Sequence, residues 1–121
     1  MAGTAPGARP SRLTIVLADW CPHCVPLSEG KVHELAKRLG IPVRRLDIDD
    51  PGEEREADAL VQAHGDWSPD YLIPQVFLEW TDGHVEHLLT GFPEGVSRTR
   101  RAWDDLFQSD LVRRLAAGSS A

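Results

Sequence analysis

Leu13-Thr14-Ile15-Val16-Leu17-Ala18-Asp19-Trp20-Cys21-Pro22-His23-Cys24 is the stretch on which the reading of the chain turns. Its first half is a short apolar, β-branched run, too short for a helix and suited to a strand buried on both faces. The two cysteines follow at once, with two residues between them. Beyond them Val25, Val32, Leu35, Ala36 and Leu39 recur at helical spacing up to Gly40, a natural C-terminal stop. The pattern predicts one helix that begins at the cysteine motif and carries Pro26 in its first turns.

Further along, residues 43–48 alternate apolar and polar, as a half-buried strand does, and Asp50-Pro51 supplies an N-cap with proline at the first helical position. A second helix should run to about His64, with Glu53, Glu54 and Glu56 favourably placed near its positive end and Gly65 after its last turn. Residues 75–80 and 84–89 read as two antiparallel strands joined through Thr81-Asp82-Gly83. A last helix, about residues 96–115, puts Trp103, Leu106, Phe107, Leu111, Val112 and Leu115 on one face. The order β-α-β-α-β-β-α predicts an α/β fold with a central four-stranded mixed sheet flanked by helices. Parallel strands need crossover connections, and both sheet faces must then be covered.

The chain of 121 residues suits one domain, with 41% hydrophobic and 26% charged residues arguing against disorder and against a membrane span. Residues 1–12, rich in Ala, Gly and Pro, are expected to form a disordered leader, 13–116 the domain and 117–121 a flexible tail. A net charge of −6 gives no general attraction for nucleic acid or anionic lipid, so neither is expected as a partner. Arg98, Arg100 and Arg101 have Glu94, Asp104 and Asp105 close by in sequence and read as a solvated helix start or loop. The leader has no apolar core of the length a secretory signal needs, so a cytoplasmic location is expected. In that reducing compartment two neighbouring cysteines point to chemistry or metal rather than to a permanent staple. Nothing in the chain calls for a second copy, and a monomer is expected.

Disulfide exchange needs a thiolate that attacks a disulfide sulfur and a second thiol that resolves the mixed disulfide. Cys21, at the start of the expected helix, would be the nucleophile, with its thiolate favoured by the free N–H groups and dipole there, and Cys24 the resolving thiol. Pro22 would set the backbone at the helix start. His23 would tune the Cys21 thiolate and make the pair more oxidising. Zinc is the rival reading, with its other ligands drawn from His33, His64, His84 or His87. His84 and His87, three apart in an expected strand, face opposite sides. A redox-inactive module is disfavoured because both cysteines are present.

The strand followed by Trp20-Cys21-Pro22-His23-Cys24 resembles the thioredoxin superfamily, over about residues 13–115. The resemblance implies a thioredoxin fold and a thiol-disulfide oxidoreductase, with no cofactor beyond the redox-active Cys21/Cys24 disulfide. Protein disulfides would be its substrates, and a reductase or glutathione its electron donor. It also implies that Pro74, in Ile73-Pro74-Gln75-Val76-Phe77, is a cis proline facing the cysteines, and that Gly91 lets substrate backbone approach. Trp20, Ile73, Pro74 and Gly91 would thus form the substrate platform. Arg45 stands where that family usually has lysine, and Ile15 where thioredoxins have a buried aspartate. A glutaredoxin-like, glutathione-dependent reductase is the alternative, although Ala18-Asp19 and Gly91-Phe92-Pro93-Glu94 lack the glutathione-binding residues of glutaredoxins.

Overall fold

Strand β1 (Pro10–Leu17) is buried from Leu13 to Leu17 because both its edges and both its faces are covered. It pairs in parallel with β2 (Val43–Asp47) and antiparallel with β3 (Gln75–Trp80). β3 in turn pairs antiparallel with β4 (Val85–Thr90), giving the sheet order β2-β1-β3-β4. The computed structural model describes residues 7–91 and 95–119, so most of the expected leader and the last residues of the expected tail lie outside them. The protein is α/β, a four-stranded mixed sheet with helices on both faces.

Each face has its own core. On one side Leu13, Ile15, Leu17, Val76, Leu78 and Leu89 pack against helices α1 (Glu29–Leu39), α3 (Val96–Phe107) and α4 (Asp110–Ser119), with Cys21 and Cys24 in the same cluster. On the other side Val16, Leu46 and Phe77 pack against Ala57 and Val61 of α2 (Pro51–His64). The period-two alternation along β1 feeds the two cores from one strand. α2 starts as its sequence dictates, the Asp50 carboxylate accepting from the amides of Gly52 and Glu53 at 3.0 and 3.1 Å. Gly40 closes α1 in the left-handed conformation, at φ 71°.

Besides shifts of one residue in β2 and β4, three departures from the sequence expectation have a local cause. β1 begins at Pro10, not Leu13, because the Ser11 hydroxyl donates to the Glu79 carbonyl and Arg12 pairs with the Glu79 carboxylate on β3. The last helix is two: α3 stops at Phe107, and Ser109, whose Oγ accepts from the Val112 amide at 3.3 Å, starts α4, which takes Gly118 and Ser119 of the expected tail into its last turn. The apolar spacing carries on across this break and so does not reveal it.

The third difference bears on the cysteines. Instead of one helix from the motif onward, the segment His23–Ser28 is an irregular π-type turn, with Val25 extended at φ −130°, ψ 126° and a cis bond between Val25 and Pro26. Regular helix begins only at Glu29. Proline disfavours helical backbone in the residue before it and has no N–H to give, so Val25 leaves the helix where the apolar periodicity runs straight through.

Candidate functional site

Where β1 runs out of the sheet the chain turns sharply. The Cys21 amide donates to Ala18 O at 3.1 Å, and the amides of Cys24 and Val25 both donate to Cys21 O at 3.0 Å. This single turn, led by Pro22 at φ −69°, ψ −22°, brings the two cysteines close together. The expectation of Cys21 at the mouth of a regular helix is corrected accordingly, since α1 opens five residues beyond Cys24.

Cys24 is 0% exposed and Cys21 4%, so the residual access lies with Cys21. Burial pushes the Cys24 thiol far up, the hydrogen bond with Cys21 adds to that, and the backbone of Ala18 and the charge of Arg45 pull the other way without offsetting it. Cys24 therefore stays protonated at neutral pH.

Trp20 stands 67% exposed beside the pair, its indole N–H donating to the Asp49 carboxylate at 3.0 Å. His23 is half-buried, and its Nδ1 lies 2.9 Å from the hydroxyl of Thr99 on α3. Pro22 is exposed. The β1–β3 register, with Val16 opposite Gln75, carries Ile73 and Pro74 to the sheet end from which the cysteine turn departs. The Ile73-Pro74 bond is cis.

The expected apolar platform is smaller than the sequence suggests. Pro74 is buried and Ile73 half-buried. Gly91 covers the proline, donating its amide to Pro74 O at 2.7 Å. A Cβ there would collide with Pro74 Cδ and come within 2.9 Å of the Ile73 carbonyl oxygen. Gly91 thus serves close packing against the proline rather than an open substrate approach. Phe92, Pro93 and Glu94, compared above with the glutaredoxin segment, lie outside the described residues.

Several groups near the site carry no local sequence signal. Arg45, opposite Ile15 in the β1–β2 register, pairs with Asp19 and with Glu29 at 2.7 Å, and lies 3.8 Å from Asp47. Burial opposes its charge, but Glu29 and Asp19 outweigh that and raise it. Ile15 is wholly buried, so the position compared with the thioredoxin aspartate carries no proton-handling group, and Asp19 is committed to Arg45. The buried Trp103 donates its indole N–H to the Ser28 hydroxyl at 2.8 Å. In the sequence only the resemblance singles out Arg45, and nothing there points to its carboxylate partners.

His84 lies against Trp80 and His87 against Phe77. Among the described residues no three His, Cys, Asp or Glu side chains come together in a metal-binding group, and no helix is long and apolar enough to cross a membrane. Comparison with protein-family models, with curated proteins and with solved structures gave no match to this chain.

Proposed function

We propose that the protein is a thiol-disulfide oxidoreductase with the thioredoxin fold, working on protein disulfides through Cys21 and Cys24. One observation carries the reading: two free, buried cysteines close together on a tight turn at the end of a central strand, beside an exposed tryptophan. A pair this close forms an intramolecular disulfide with little backbone movement.

Cys21, which retains solvent access, attacks a sulfur of the substrate disulfide, and the other substrate sulfur leaves as a thiolate that takes up a proton. Cys24 then gives up its proton and displaces the substrate from Cys21. The protein has lost two electrons and two protons and holds one S–S bond, and the substrate holds two thiols. The resemblance of Trp20-Cys21-Pro22-His23-Cys24 after a central strand supports placing the protein in this class. No further cofactor is required. A reductase or glutathione returns the electrons, and a monomer in a reducing cytoplasm is the setting this chemistry suits.

The test is to equilibrate the protein with glutathione redox buffers and follow thiol alkylation. A two-electron transition near about −270 mV marks a disulfide reductase, and one near about −120 mV an oxidant. No intramolecular disulfide at any ratio would overturn the proposal.

A further inference from the structure

The irregular segment that carries Cys24 is not secured by a regular helical ladder, since Val25 is extended within it. It is secured from outside. α3 presents Thr99 and Trp103, one helical turn apart and therefore on one face. Thr99 meets His23 at the front of the segment at 2.9 Å, and Trp103 meets Ser28 at its rear at 2.8 Å. Thr99, Trp103 and Ser28 are wholly buried, so the rear contact lies in surroundings where a lost partner is costly, while the front one is part-buried because His23 is half-exposed. Cys24 lies between the two anchor points.

We propose that α3 is the positioning element of the cysteine pair, and that Thr99, by fixing the His23 ring, sets the balance between its dithiol and disulfide forms. The inference rests on the oxidoreductase reading above. An imidazole on the residue between two cysteines in sequence can supply a hydrogen-bond donor or positive charge that favours thiolate over disulfide. A ring released from Thr99 is free to turn to solvent and lose that influence. In this scheme Thr99 acts on the pair through His23. Trp103 holds the rear of the segment, so that a change at the front does not displace Cys24.

The experiment measures the equilibrium in which the protein dithiol gives two electrons and two protons to glutathione disulfide, yielding the protein disulfide and two glutathione molecules. Thr99→Val keeps the shape and removes the hydroxyl. It should raise the equilibrium constant toward the disulfide by about threefold or more, near the lower end of what one hydrogen bond contributes. Thr99→Ser should restore the wild-type value. His23→Ala should raise the constant at least as far, and Thr99→Val added to His23→Ala should change nothing more, because the two act as one unit.

A wild-type constant in Thr99→Val would overturn the inference while leaving the oxidoreductase reading intact. So would a Thr99→Val effect that persists in the His23→Ala background. Absence of any disulfide in the wild-type protein would instead sink the oxidoreductase reading and this inference with it. A merely structural role for Thr99 would lower the urea midpoint without the dependence on His23.

Discussion

Burial raises the pKa of the Cys24 thiol while Cys21 keeps the little access the pair has, and in the proposed exchange that difference puts Cys21 first. Cys24→Ser should accumulate mixed disulfides between Cys21 and a protein disulfide substrate, seen as a mass increase that thiol reductant reverses. Cys21→Ser should accumulate none, because the sulfur left is the buried, protonated one. Equal trapping by both variants would refute the assignment. A second expectation concerns Gly91, whose missing Cβ leaves room for the Pro74 ring and the Ile73 carbonyl. Since the obstructing atoms include backbone, they cannot simply rotate away. Gly91→Ala should destabilise the fold by about 1–3 kcal/mol, the range for overpacking a close contact, measured as a lower urea midpoint with unchanged slope. An unchanged midpoint would mean that β4 shifts freely and that the glycine has another role.

Elements with a strong internal pattern are legible in the sequence: β1 from its apolar run, α2 from Asp50-Pro51, the hairpin from Asp82-Gly83 and the inner face of α1 from Val32, Leu35, Ala36 and Leu39. What stayed hidden depends on partners distant in sequence. Val25 leaves the helix at a proline that the periodicity steps over, Ser109 interrupts an unbroken apolar stripe, and Thr99 and Trp103 meet His23 and Ser28 more than seventy residues away. In the candidate site the cysteines, Trp20 and the cis proline could be read from motif spacing and resemblance, whereas the Arg45 carboxylate cluster and the α3 contacts could not. Gln75 is of the hidden kind. Wholly buried at the head of β3, it accepts from the Asp66 amide at 3.0 Å and donates to the carbonyls of Asp66 and Leu72 at 3.1 and 2.8 Å, pinning both ends of the connection that delivers Pro74. Gly65 has no Cβ because that same carboxamide and the Phe77 ring occupy the space. Gln75→Leu keeps the bulk and removes all three bonds, at a cost of about 1–3 kcal/mol. Amide exchange across residues 66–73 should accelerate more than exchange in β1. Uniform acceleration would show that Gln75 supports the whole fold rather than this connection.

For the molecule as a whole, the sheet separates its tasks along its length: the cysteine turn leaves at one end of β1, and a polar cluster ties the strands together toward the other. There Glu79 on β3 accepts from the Thr14 hydroxyl, pairs with Arg12 at 3.0 Å and lies 3.6 Å from Arg44 on β2, so one carboxylate links three strands. Burial by itself would raise its pKa, but the hydrogen bonds from Arg12 and Thr14 and the charges of Arg12 and Arg44 outweigh that and hold the carboxyl below the ordinary value of 4.5. A carboxylate depressed in the folded state contributes stability that is present above its unfolded pKa and is lost as pH falls through the folded one. The wild-type protein should therefore exceed Glu79→Gln in unfolding free energy by about 1–3 kcal/mol at pH 7, the range for hydrogen bonds to a charged group. The gap should begin to narrow below about pH 4.5 and close further as Glu79 itself protonates, because the glutamine already mimics the neutral acid. Urea titrations at pH 7, 4.5 and 3 measure the gap directly. A gap that stays constant across that range would mean that packing, not charge, accounts for the effect of Glu79. The strand-tying role would then belong to Arg12 and Arg44 through their aliphatic stems.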